Sequence, residues 1–409
     1  MRIIMRGNTV ALNGFACDMG NSFPVSLMPL SVGGDMSMLN KIIKQRLNHK
    51  LAPASVCFDG PNIWDPQVYN PGLYRRIITQ GTLGLGEAYM EGWWECEALD
   101  QFFYRLLLHD IDKNIKFPLV MWRKWWARLF NLQTVQRAFI VGRRHYDVGN
   151  DLYKRMLDPL MIYSCGYWQR AENLADAQVA KLRLVFDKLQ LQPGMRVLDI
   201  GCGWGGAARF AAQHYGVEVV GVSISQQQVD LANAQKDDLP VNYLFQDYRD
   251  LQGRFDRAYS IGMFEHVGHK NYHDYLAKIS SLLVDDGLFL LHTIGKNNSS
   301  IGNDPWVDRY IFPNGVLPSM QQIAASCEGL FVVEDIHNFG PDYDTTLMAW
   351  YNNFIQSWPQ LEDRYDPLFK RMWEYYLLSF AGVFRARDLQ VWQWVLSPKG
   401  LASSYSAPR

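Results

Sequence analysis

The stretch Val197–Gly206, VLDIGCGWGG, decides the fold. A short apolar run ends at Asp199, and glycines at 201, 203, 205 and 206 then turn the chain into an alanine-rich segment. A strand that leaves through such a turn into a helix brings backbone N–H groups close to a ligand. Gly201, Gly203 and Gly206 even satisfy GxGxxG, a weak signal by itself. A dinucleotide site also expects an acidic residue about twenty positions on, and here the second apolar run ends VVGVSIS. An adenosyl ligand without a pyrophosphate fits better.

Working outward, short apolar runs alternate with helical segments. Strands are expected at 196–200, 218–222, 241–245, 255–261 and 288–293, with helices at 204–215, 226–234 and 272–283 between them. Strand–helix alternation with short connections implies a mainly parallel, doubly wound sheet. Upstream, 172–190 reads as a helix broken by Gln192-Pro193-Gly194. Residues 52–71 read as turns and short strands, and a helical region extends to about residue 140. After residue 318 the chain returns to helices, with LQVWQWVL as a late strand.

The glycine loop resembles motif I of class I S-adenosylmethionine methyltransferases. Asp199 would order the loop or meet a cationic ligand. Members of that class usually carry Asp or Glu at the end of the second strand, so Ser223, Ser225 and Gln228 would have to serve the ribose here. Gln246, Asp247 and Tyr248 follow the third strand, where such folds flank the adenine. The expected fold is therefore α/β, a Rossmann-like class I methyltransferase sheet with inserted helices behind a smaller, mainly helical amino-terminal domain. The expected division is a mobile extension at 1–37, a lipid-docking domain at 38–145 and a catalytic domain at 146–409.

Composition narrows the field. The chain has 409 residues, 48% of them hydrophobic, enough for a large core. A net charge of −1 does not announce nucleic acid. The six cysteines are widely spaced without CxxC, so reduced buried thiols in a cytoplasmic protein are expected and no metal site. The first 35 residues lack a continuous apolar run, so no signal peptide is read there, and Met36 or Met38 is a candidate start. No run approaches the ~18 apolar residues of a spanning helix.

One local asymmetry stands out. No acidic residue lies between Asp112 and Asp147, whereas eight Lys and Arg do. Within it Trp122, Trp125, Trp126, Leu129 and Phe130 form one helical stripe flanked by Arg123, Lys124 and Arg128. That pattern suits either docking on anionic lipid or packing on its own domain. His145 and Asp147 either cap a helix or touch a cofactor lid.

Six further segments are distinctive: YSCGYW, GMFEHVG, LLHTIG, DPWVDRYIFPNG and FGPDYDTTLMAWY, which follow one another in that order, and upstream of them LGLGEAYMEGWWEC. With the glycine loop, they resemble the cyclopropane-forming fatty-acyl-phospholipid synthases and the related mycolic acid cyclopropane synthases, over roughly residues 70 to 395. The resemblance implies methylene transfer from S-adenosylmethionine to a cis double bond in a phospholipid acyl chain, with a bound bicarbonate as the base. It places Cys165, Glu265, His292, Ile294 and Tyr343 around that ion, with Cys165 and Ile294 contributing backbone groups. It also implies a homodimer working at the inner face of the membrane.

The residues themselves leave other roles open. Glu265 and His292 end strands of an open sheet, where ligands sit. A carboxylate there repels an anion unless a proton is shared. His266 is either structural or a cofactor contact, Tyr163 and Ser164 are expected at the cofactor's carboxylate end, and Cys165 is an alternative nucleophile without a paired histidine. Trp306, Tyr310, Phe312 and Phe339 are either core or a wall for a carbocation. A headgroup methyltransferase and a silent lipid-binding protein are the competing functions.

Overall fold

The structure, a computed structural model, describes residues 36–111 and 149–409. Most of the proposed extension, the Trp122–Phe130 stripe, His145, Asp147 and the expected domain boundary at 145 lie outside the described residues.

The glycine turn does what its sequence requires. β3 (Arg196–Ile200) enters it, α7 (Gly206–Tyr215) leaves it, and Gly201, Gly203 and Gly205 all have positive φ, a region open chiefly to glycine. Around β3 the sheet has seven strands in the order β5-β4-β3-β6-β7-β9-β8. The others are β4 (Glu218–Ser223), β5 (Val241–Phe245), β6 (Phe255–Ile261), β7 (Leu283–Lys296), β8 (Val332–Asn338) and β9 (Leu389–Ser397). β5, β4, β3, β6 and β7 run parallel, and β9 is antiparallel to both β7 and β8. Near-continuous burial of RVLDI and LQVWQWVLS matches strands covered on both faces.

Successive β3 residues feed different cores, as alternation demands. Val197 joins the cluster under α6 (Leu174–Lys188), α7 and α8 (Gln226–Ala234). Leu198 joins the cluster under α9 (Tyr272–Leu282) and α11 (Met320–Cys327). The strand order reverses beside β3, between β4 on one side and β6 on the other. A crevice opens at such a point, outside the carboxyl ends of the strands.

The expectation of helices after residue 318 needs one correction. VVEDIHN (Val332–Asn338) forms edge strand β8, which pairs with β9. Its Val332 and Val333 are largely exposed, so the segment lacks the strongly alternating apolar pattern that marks a half-buried strand.

The amino-terminal region holds α1 (Met36–Leu51), β1 (Gln67–Val68) paired with β2 (Trp94–Glu95), α2 (Leu73–Gln80), α3 (Thr82–Met90) and α4 (Leu99–Leu108). α3 and α4 lie on α13 (Pro367–Arg385), and one apolar cluster runs from Leu47 to Val391 without a break between the regions. Close approach depends on two glycines. A methyl at Gly86 would run into the Trp306 ring, and one at Gly382 into the Asp100 carbonyl oxygen. Arg385 then ties Asp344 through two bonds of 2.8 and 2.9 Å to Asp100 at 2.6 Å. α12 (Asp342–Ser357) completes this layer against α13.

Candidate active site

A cavity of about 180 Å³ opens at the ends of β3, β4, β5 and β6. Tyr163, Ser164, Asp199, Gly201, Gly203, Ser223, Gln228, Gln246, Asp247, Tyr248 and His266 line it. Ser225 is not on its wall. Its hydroxyl caps α8, accepting from the Gln228 N–H. The Ser223 hydroxyl donates to the Gln228 side-chain Oε1 at 2.9 Å, so those two present one linked polar edge.

The loop is fixed from both sides. N–H groups of Gly201 and Cys202 donate to the Val222 carbonyl at 2.9 and 3.0 Å. A methyl at Gly206 would meet the Leu160 carbonyl oxygen, so the helix start is pressed against the 158–162 turn. Buried Asp247 accepts from the Arg249 N–H at 3.0 Å, and Tyr248 stands edge-on to Tyr275 at 5.0 Å. Asp199 accepts from the Tyr259 hydroxyl at 2.9 Å. Burial pushes its carboxyl up to about 7, against the opposing pull of that bond and of Lys181.

A second, smaller cavity of about 80 Å³ shares Tyr163, Ser164, Gly262 and His266 with the first. Cys165, Glu265, His292, Ile294 and Tyr343 all line it, although they come from separated stretches of chain. Glu265 sits in a short helical turn, Phe264–His266, just beyond β6. One of its oxygens accepts from the Ile294 N–H at 2.7 Å, while Oε2 is buried and has no protein partner. Ile294 therefore spends its N–H on Glu265. Burial pushes the Glu265 carboxyl up to about 7, with the Ile294 bond opposing.

His292 is held across the sheet. It faces Gln393 in the β7–β9 register, and the two side chains lie 3.4 Å apart, Nε2 to Nδ1. Burial, and then the charges of Lys181 and Lys188, keep the imidazole well below its usual range, so it is neutral. The Cys165 thiol is fully buried and donates to the Gly166 carbonyl at 3.2 Å. Burial raises it well above the ordinary thiol range, so the thiolate that a nucleophile needs is disfavoured. His266 touches both cavities, and burial lowers it to about 4.

Of the four aromatic candidates, Phe312 lines the second cavity. Phe339 lies 5.6 Å from the His292 ring. Trp306 and Tyr310 face the amino-terminal region, Trp306 against Gly86 and Tyr310 donating to Glu87 at 2.9 Å. Phe380 on α13 completes the cavity wall and was not anticipated.

Lys181 was not anticipated either. It lines the first cavity at 0% exposure, with Nζ donating to the Ser164 hydroxyl at 2.9 Å. The signal was present in LADAQVAKLRLVFDK: the buried face that runs through Leu174, Ala177 and Val185 puts a lysine at 181. A cation in the apolar stripe of a helix needs a partner. Among the described residues no cluster of ligands could hold a metal, and no helix is long and apolar enough to cross a membrane.

Comparison with known proteins bears on this geometry. A family model described as mycolic acid cyclopropane synthetase matches residues 133–394. The cyclopropane-fatty-acyl-phospholipid synthase of Escherichia coli K12 is 54% identical over 351 residues, covering 86% of this chain and 92% of that protein. A probable fatty acid methyltransferase of Pseudomonas putida is 36% identical across 64% of this chain and 69% of its own length. The solved cyclopropane synthase MmaA2 of Mycobacterium tuberculosis superposes with a TM-score of 0.60 at 31% identity, over 63% of this chain and 98% of that one. A mycolic acid cyclopropane synthase solved with SAH and CTAB gives 0.59 at 31% identity, over 63% and 98%.

Proposed function

Because this chain belongs to the mycolic acid cyclopropane synthetase family, we propose that it transfers a methylene group from S-adenosylmethionine to the cis double bond of an unsaturated phospholipid acyl chain. The observation that carries the reading is the paired cavities. A glycine-turn pocket suited to an adenosyl group opens beside a small polar pocket with an unpartnered buried carboxylate oxygen.

S-adenosylmethionine supplies a sulfonium-bound methyl group. The residues that would hold it are Tyr163 and Ser164, the Asp199–Gly203 loop, Ser223 with Gln228, and Gln246–Tyr248, with His266 at the junction. An olefin that takes a methyl becomes a carbocation, and closing the three-membered ring then requires loss of a proton from that methyl. The C–H electrons form the second carbon–carbon bond. An alkene carries no base of its own, so the protein must provide for one.

Glu265, His292 and Tyr343, with the backbone of Cys165, would hold bicarbonate, which supplies a proton acceptor there; Ile294, expected to offer a backbone group to the ion, gives its N–H to Glu265 instead. The fit rests on the residues themselves. With its carboxyl raised to about 7, Glu265 carries a proton part of the time near neutral pH, and Oε2 then donates rather than repels. Neutral His292 offers one ring N–H without adding charge. Tyr343 lies fully in the protonated state, because burial raises its phenol well above the usual range. Tyr163, Phe312, Tyr343 and Phe380 place aromatic rings around the same space, which favours a cation and excludes water.

The substrate double bond lies inside a bilayer core about 30 Å thick, so the protein would work as a peripheral membrane enzyme. The test uses vesicles of unsaturated phosphatidylethanolamine and phosphatidylglycerol with methyl-labelled S-adenosylmethionine, followed by mass spectrometry. The expected product is heavier by one CH₂ and resists hydrogenation. A methylated headgroup or a saturated branched chain would overturn the reading. Stripping bicarbonate from the buffer is expected to suppress turnover, and adding it back to restore it.

A further inference from the structure

Ring formation as described gives no task to Glu87 on α3, whose side chain is 13% exposed. Its Oε2 accepts from Arg76 at 2.8 Å, while Oε1 accepts from the Tyr310 hydroxyl and pairs with Arg309, both at 2.9 Å. Arg76 does not need this carboxylate. Its guanidinium already holds both oxygens of Glu91, at 2.7 and 2.9 Å, and lies over the Trp93 ring. The Arg309 side chain is 60% exposed, so water would serve it as well. What the carboxylate gains is a grip on α10 (Pro305–Tyr310). That helix belongs to a segment, 303–317, that lines both cavities: Asn303, Val307, Phe312 and Leu317 the second, Pro313 and Asn314 the first. At its base the Lys296 N–H donates to the Pro318 carbonyl at 2.8 Å, and on its downstream limb the Val316 N–H donates to the Glu265 carbonyl at 2.9 Å. The upstream limb leans on α13 through rings, Trp306 on Tyr375 at 4.6 Å and Phe312 on Tyr376 at 5.8 Å. Apolar contact has little directionality. Glu87 adds bonds that do.

We propose that Glu87 is a positioning residue for ring formation: by fixing Arg309 and Tyr310 it sets where Val307 and Phe312 stand against the acyl chain in the second cavity. The proposal rests on the reading of that cavity as the place where the ring forms. It gives the amino-terminal region a part in the chemistry without contact to a reacting atom. The Phe312 N–H donates to the Val307 carbonyl at 2.8 Å, so the two wall residues move as one unit with α10. Trp306 seats the same helix from its inner side, its ring filling the space over Gly86, the residue before Glu87. One turn of α3 thus places α10 by shape at 86 and by charge at 87. A reacting group misplaced by about 1 Å loses roughly 10²-fold in rate. The effect falls on the substrate side, because most of the first cavity's wall comes from the glycine turn and strand ends, which Glu87 does not touch.

The full chain carrying Glu87→Gln, the pair Arg309→Met with Tyr310→Phe, or all of these together tests this. Turnover on unsaturated phosphatidylglycerol vesicles with labelled S-adenosylmethionine is expected to fall about 10- to 100-fold in each. Affinity for S-adenosylhomocysteine by calorimetry, and sedimentation with the vesicles, are expected to stay within about 2-fold of wild type. The combined variant is expected to match the slower of its parents within about 2-fold, since both break the same clasp. Turnover within about 2-fold of wild type, or a combined loss equal to the product of the separate losses, would overturn the proposal. So would a parallel loss of S-adenosylhomocysteine affinity, because a general loosening reaches both cavities, and so would lost sedimentation, which would make Glu87 a docking residue. If Glu87→Gln does not fold, the Arg309→Met, Tyr310→Phe protein carries the test, with Glu87 keeping its bond to Arg76. A wild-type protein that binds S-adenosylhomocysteine yet forms no ring would instead overturn the reading of the second cavity.

Discussion

Replacing Glu265 by Gln is expected to make the protein more stable and nearly inactive, and the stability gain should depend on pH. Glutamine keeps the acceptor for the Ile294 N–H and removes the ionisable oxygen that has no partner. In the folded state the carboxyl is raised from 4.5 to about 7. Folded protein therefore binds the extra proton between those values, and wild-type stability falls as pH rises through that window. Below the unfolded value the carboxyl costs nothing. Above about 7 its full penalty is present, about 3 kcal/mol at roughly 1.4 kcal/mol for each tenfold change in proton affinity. Urea unfolding of both proteins, followed by tryptophan fluorescence, is expected to show a gain of about 3 kcal/mol for Glu265→Gln at pH 8.5 and under about 1 kcal/mol at pH 5. Ring formation at pH 7 is expected to fall by about 10²–10³-fold. Equal stability differences at the two pH values, or a variant less stable at pH 8.5, would refute the reasoning, because Oε2 would then be solvated or paired.

Gly206→Ala is expected to drive the start of α7 off the Leu160 carbonyl, costing about 1–3 kcal/mol and weakening S-adenosylhomocysteine binding at least about 10-fold by calorimetry. Gln393→Leu removes the group that meets His292 Nδ1, so the imidazole should populate both neutral tautomers; ¹⁵N chemical shifts of the ring read this directly, with turnover down about 10-fold. Arg385→Met breaks the partly buried link between Asp100 and Asp344, with an expected loss of about 1–3 kcal/mol seen as a lower thermal midpoint.

Most of the central sheet was readable because five of its strands hold short apolar runs that alternate with helices. The wall of the first cavity was readable for a related reason: Gly201, Gly203 and Asp199 are neighbours in sequence as well as in space. The second cavity is different. Cys165, Glu265, His292 and Tyr343 meet only when a loop, two strand ends and a late helix converge, and residue spacing alone carries no trace of that meeting. Those positions came from family likeness. Ser225 shows how local chemistry competes with site chemistry, since a serine ahead of a helix is first a cap. Lys181 and Gln393 were hidden for the opposite reason, each being one polar residue inside an otherwise convincing apolar pattern. β8 was missed because its exposed valines and charged residues lack the burial rhythm of a strand.

The seam between the amino-terminal helices and α13 bears on how this chain can be recombined with its shorter relatives. Where α4 crosses Gly382 and Trp306 fills the space over Gly86, backbone meets backbone or ring with no side chain between. A chimera that transplants the front of one such enzyme onto the back of another must carry both small residues and the Arg385 clasp together. Residues 36–111 thus share one buried joint with the helices they pack on, laid like masonry and not hung on as a handle.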